Sequence, residues 1–171
     1  FNGWRPINET IVATTPLLLA GLAVAITFRA GLFNIGGTGQ MLMGGMGAVY
    51  VGFSMDGPGF IQIPLGVLAG MVMGMAWGII PGLLKARAGV HEVIATIMLN
   101  FIAGSLVLWL LKTDMFGREG RNDPISKLVT PEGQLPRLFG FLDRPELRAH
   151  IGFLIALSAA AFFWWLLERT T

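Results

Sequence analysis

The chain has 171 residues, 54% hydrophobic and 13% charged, with a formal net charge of +2. Soluble domains carry roughly 25% charged residues, so an ordinary soluble domain is excluded, and the small net charge without a basic run leaves nucleic acid no electrostatic footprint. The absence of cysteine excludes disulfides, thiolate metal sites and cysteine nucleophiles, and two distant histidines, His91 and His150, make no zinc site.

Charge is distributed in blocks. Residues 10–28, 30–55, 57–84, 93–111 and 149–167 contain no Asp, Glu, Lys or Arg, and each is long enough to cross a hydrocarbon core about 30 Å thick as an α-helix. The expected fold is all-α, a polytopic membrane helix bundle with about five transmembrane helices, over residues 11–28, 31–53, 63–84, 90–111 and 151–167. Apolar blocks recur to the end of the chain, so a signal peptide before a soluble domain and a tail-anchored enzyme both fail. A start at Phe1 and an end at Thr171, just after an apolar block, are expected of a fragment of a longer membrane protein.

The first span follows Asn8-Glu9-Thr10, with Pro16 in its first turns, where a missing N–H does least harm. The second is written differently: Gly31, Gly36, Gly37, Gly39, Gly44, Gly45, Gly47 and Gly52 interrupt it, and Asn34, Thr38 and Gln40 sit among them. Lipid offers the backbone no hydrogen bonds, so a Gly-broken segment belongs inside protein or beside a water-filled cavity. The third span carries Gly66, Gly70, Gly74, Gly78 and Gly82 at four-residue spacing. Positions four apart advance by ~40° around a helix, giving a slowly winding groove that receives another backbone. Met71, Met73, Met75 and Trp77 lie elsewhere on its circumference, where they face lipid or fill gaps.

The fourth span places Glu92, Thr96, Asn100 and Gly104 on one small, polar face. An amide at mid-span must face protein or water, so Asn100 either bonds another helix or contacts a transported solute. Residues 112–149 form the long polar connection, with seven basic and six acidic residues and Pro124, Pro131, Pro136 and Pro145. Its apolar stretch 135–142 is expected at the interface or packed on protein. The fifth span ends on Trp164 and Trp165, an aromatic interfacial anchor. Counting Lys and Arg puts the long loop inside, yet acids balance that loop, and Lys85 and Arg87 sit directly at a helix end. The positive-inside rule therefore leaves orientation open.

Nothing here carries catalytic chemistry. There is no P-loop, His-Glu-x-x-His or Gly-x-Ser-x-Gly pattern, and Gly36-Gly37-Thr38-Gly39 lacks the preceding strand and following lysine that phosphate binding requires. Glu9, Asp56, Glu92 and Glu168 all lie at expected span ends, whereas proton-coupled carriers place ionisable groups at mid-membrane. Lys85, Arg87, His91 and Glu92 read either as a solvated turn with Glu92 favoured by a helix dipole, or as a cytoplasmic surface near a partner subunit.

The stretch Phe28-Arg-Ala-Gly-Leu-Phe-Asn-Ile-Gly-Gly-Thr-Gly-Gln40, together with Pro81-Gly-Leu-Leu-Lys-Ala-Arg-Ala-Gly-Val-His-Glu-Val-Ile-Ala-Thr-Ile-Met-Leu-Asn100, resembles permease subunits of ABC importers. The resemblance is to the branched-chain amino acid and simple sugar type, and within it to nucleoside importers served by a basic-membrane-protein-like lipoprotein. It runs from Thr-Pro-Leu-Leu-Leu in the first span to Arg-Thr-Thr171, with Gly37-Thr38 where the family commonly has Ala-Glu. It implies a multi-pass subunit of a bacterial inner or plasma membrane, not itself an enzyme. The implied partners are a second, paralogous permease subunit, a cytoplasmic ABC ATPase that holds ATP and Mg, and an extracytoplasmic substrate-binding lipoprotein. It also implies a cytoplasmic 85–92, an extracytoplasmic 112–149, and a coupling helix beyond Thr171.

The expected solute path for a small polar solute, such as a nucleoside, takes in Asn34, Gly36, Gly37, Thr38, Gln40, Thr96 and Asn100. Asn34 and Thr38 share a face if their segment is helical, as do Thr96 and Asn100. The alternatives are an ABC permease for a simple sugar or branched-chain amino acid, a secondary transporter with a midplane site, and a purely structural membrane subunit.

Overall fold

A computed structural model describes residues 5–138 and 148–169. Among these residues lie five α-helices, α1 (Arg5–Arg29), α2 (Gly37–Ser54), α3 (Gly59–Ala88), α4 (Glu92–Leu110) and α5 (Gly152–Arg169), plus a 3₁₀ turn, Pro131–Gly133. Four of the helices, α1, α3, α4 and α5, are long and apolar enough to cross a membrane. With Gly, Thr, Gln and Ser diluting its apolar residues, α2 is not among them. The apolar stretch expected at 135–142 is described only to Leu138, and Thr170 and Thr171 lie outside the described residues.

The helices form two compact units. The first contains α1, the segment from Leu135 and α5. Asn8, 1% exposed, accepts a hydrogen bond through Oδ1 from the Ala149 backbone N–H (2.9 Å), and Glu9 beside it takes both carboxylate contacts from Arg148 Nη2 (2.9 and 3.0 Å). At the far end, Arg29 Nη1 donates to the Leu167 carbonyl (3.1 Å). Start meets start and end meets end, so α1 and α5 run parallel. Because α1 begins at Arg5 and not near residue 11, Pro16 stands in the helix interior. Pro6 falls in the first described turn of α1, where its fixed φ suits a helix.

The second unit contains Gly31 to Gln134. Here α2 lies antiparallel to α3 at glycine-to-glycine distance. A Cβ on Gly44 would come 2.9 Å from the Gly70 carbonyl oxygen, one on Gly70 3.1 Å from that of Gly44, and one on Gly74 3.2 Å from that of Gln40. Any side chain there would push the helices apart. Gly66 stands looser, 3.7 Å from the Ala48 oxygen, and Gly82 has nothing within 4 Å. The expected groove therefore receives α2 over Gly70–Gly78 and turns away by Gly82.

Lys85 and Arg87, expected in a loop, belong to the last turns of α3, which closes at Gly89 in the left-handed region (φ 62°), with the Gly89 N–H on the Lys85 carbonyl (3.1 Å) and the Val90 N–H on that of Leu84 (3.4 Å). The connection to α4 thus shrinks to Gly89-Val90-His91. Basic residues in a last turn also suit the helix dipole.

After α4 the chain folds back on the unit. Gln62, 1% exposed, donates through Nε2 to the Met55 carbonyl (2.9 Å) and to Thr130 Oγ1 (2.7 Å), with the Gly52 carbonyl also within reach (3.1 Å), and the Thr130 N–H bonds the Gly52 carbonyl (2.9 Å). Tyr50, Phe53 and Phe116 form an aromatic trio with centroids 5.6–5.7 Å apart. At the exposed tip, Arg121 pairs with Asp123 (2.9 Å) and holds its carboxyl below the usual range.

Candidate functional site

The site is built where the chain leaves helix before α2. Gly31 takes a positive φ (72°), residues 32–35 have no regular structure, and helix resumes at Gly37. The break expected within the second span is therefore concentrated ahead of α2, which runs unbroken through its own glycines. A short non-helical stretch strands backbone groups, and in an apolar setting each needs a partner.

The polar face of α4 supplies two of these partners. Glu92 Oε1 accepts from the Phe33 N–H (3.4 Å), and its Oε2 pairs with Lys85 Nζ (2.8 Å). Asn100 Nδ2 donates to the Ile35 carbonyl (2.9 Å), and Asn100 Oδ1 accepts from the Gly39 N–H (2.8 Å). Gly39 is the third residue of α2, whose N-cap, Gly36, has no side chain to offer. A helix normally caps that amide with its own N-terminal Ser, Thr, Asp or Asn; here Asn100 does so from a neighbouring helix.

Thr96, 2% exposed, sits between these two. Its hydroxyl donates back to the Glu92 carbonyl (2.8 Å) and within reach of that of Val93 (3.1 Å), while its methyl faces Gly36, whose Cβ would come 3.3 Å from it. Contacts advancing together, Gly36 with Thr96 and Gly39 with Asn100, show that α2 and α4 run parallel.

Several expected residues fall elsewhere. Asn34 and Thr38 do not share a helix face, because Asn34 precedes the helix and folds its Oδ1 onto the Gly36 N–H (2.7 Å), an Asx turn that sets up α2. Thr38 is exposed and Gly37 partly so. Gln40 reaches α3, its Nε2 lying 2.7 Å from where a Gly78 Cβ would be. Arg87 and His91 are exposed, unlike Lys85 and Glu92.

Trp77, expected among lipid or gap-filling residues, turns its indole nitrogen inward: a Cβ on Gly39 would come 3.0 Å from both Trp77 Nε1 and Asn100 Oδ1. Sequence reasoning also missed Gln62 and Thr130, whose partners lie 68 residues apart. An unusual Gln in the first turn of an apolar helix was the available signal.

Apolar helices packed through glycine, with a polar face spent on the backbone of an irregular segment, define a polytopic helical membrane protein. The chain belongs to the family described as branched-chain amino acid transport system / permease component, which matches residues 7–171. It is 41% identical to the guanosine ABC transporter permease protein NupP of Bacillus subtilis, over 96% of this chain and 46% of that protein. It is 36% identical to the glucose ABC transporter permease protein TsgB13 of Haloferax volcanii, over 96% of this chain and 44% of that one. A third relative, the nucleoside ABC transporter permease protein NupB of Lactococcus lactis, is 46% identical over 57% of this chain and 27% of its own length. The chain thus spans about half the length of the first two relatives. No solved structure matches it.

Proposed function

We propose that this chain forms half of the translocation pathway in a permease subunit of an ABC importer, and that the solute is a nucleoside. The observation that carries the reading is 41% identity, across 96% of the chain, to a guanosine permease. The α2–α4 junction supports it: beyond the Lys85–Glu92 pair at its edge, its polar groups are the Asn100 amide and backbone, which suit an uncharged polar solute. Hydrolysis of ATP, with Mg, then belongs to a cytoplasmic ATPase subunit. A second permease, commonly a paralogue, completes the pathway, and an extracytoplasmic lipoprotein delivers the solute to a bacterial inner or plasma membrane. Residues 85–92 face the cytoplasm and residues 112–149 the outside.

The test is uptake of radiolabelled guanosine by the full-length permease assembled with these partners in vesicles. ATP-dependent uptake, competed by other nucleosides and not by glucose or leucine, is the expected result. Competition by glucose alone favours a sugar importer, the second reading, which rests on the 36% identity to a glucose permease. Uptake that collapses with the ion gradient while ATP remains overturns the importer reading in favour of a secondary transporter.

A further inference from the structure

Trp77 Nε1 is buried and has no hydrogen-bond partner among the described residues. A buried, unpaired donor is destabilising, and an apolar ring packs without one, so packing in this arrangement does not call for the indole N–H. Its surroundings point to a use in another arrangement. Trp77 from α3 and Asn100 from α4 bring Nε1 and Oδ1 each to 3.0 Å from one spot, the place a Cβ on Gly39 would take. Asn100 Oδ1 is now engaged by the Gly39 N–H at 2.8 Å. Because α2 and α3 interlock through Gly44, Gly70 and Gly74, a slide of α2 along α4 carries α3 with it, drawing Gly39 away from Asn100 while Trp77 passes beside it.

On the reading of the chain as an importer permease, we infer that Trp77 is a positioning residue of the transport cycle, its indole N–H being the partner Asn100 takes when its carboxamide releases the first turn of α2. Packed elements with two discrete arrangements are what alternating access requires, and the exchange keeps the amide bonded in both.

The experiment uses the full-length transporter carrying Trp77→Phe and reads membrane abundance, melting temperature, ATP hydrolysis and guanosine uptake. Wild-type abundance and melting temperature, with hydrolysis and uptake both reduced at least fivefold, is the expected result. Hydrolysis and uptake within twofold of wild type overturn the inference. So does a severalfold fall in abundance or a drop in melting temperature beyond what the smaller ring's void explains, which would mean that the N–H is already bonded in the arrangement described. Should the wild-type complex hydrolyse ATP without taking up guanosine, the proposed solute fails on its own, and the hydrolysis comparison still decides the role of Trp77.

Discussion

Asn100 joins two helices through atoms that are not side chains, the Ile35 carbonyl and the Gly39 amide. Replacing it by Leu strands both, at about 1–3 kcal/mol for the Gly39 N–H, whose residue is buried. Asn100→Leu is therefore expected to lower permease abundance as well as uptake, measured by immunoblot of membranes and by solute accumulation. Thr96 makes the opposite case: its hydroxyl bonds only carbonyls of its own helix. Thr96→Val keeps the methyl against Gly36 and is expected to hold abundance and uptake within about twofold of wild type, since back-bonding to a preceding turn stabilises a helix little. A large loss of uptake with normal abundance would instead show the hydroxyl meeting a solute. The polar face itself was legible in the sequence, because Glu92, Thr96 and Asn100 repeat at four-residue spacing. What it touches was not. Its partners are backbone groups of residues 33–39, which no side-chain pattern announces, and Trp77 looked like one more bulky residue on an apolar helix.

Between elements, the glycine contact of α2 with α3 explains both what the spacing foretold and where it stopped. Four-residue steps rotate by about 40° each, so a stripe from Gly66 to Gly82 turns through roughly 160° and cannot stay against one straight neighbour. Gly70→Leu is expected to lower membrane abundance severalfold, because its Cβ alone would reach 3.1 Å from the Gly44 oxygen, whereas Gly82→Leu, with nothing within 4 Å, is expected to be tolerated. Apolar blocks marked the helices but not their ends: hydropathy reports contact with lipid, while helix hydrogen bonding continues past it, through Arg5-Pro6 at one end of α1 and through Lys85–Ala88 at the end of α3.

At the scale of the molecule, α3 is 30 residues long, about 45 Å, well beyond a hydrocarbon core of about 30 Å. Its first residue lies against the strap after α4, since a Cβ on Gly59 would come 2.6 Å from the Glu132 oxygen, and Ala88 ends it on the other side. Gln134 and Ala88 are both exposed. A single cysteine at each is expected to react with an impermeant reagent from opposite faces, Gln134 from outside; labelling at Ala88 instead inverts the proposed orientation. The parallel run of α1 and α5 also constrains how many times the chain crosses. Two parallel spans start on the same face, so an odd number of crossings must separate them. In the proposed orientation α3 and α4 supply two, and α2 is proposed as the third, although composition alone would not nominate it. Arg5 and Arg169 then lie on opposite faces, and compartment-sensitive reporters placed at those two positions should give opposite readings.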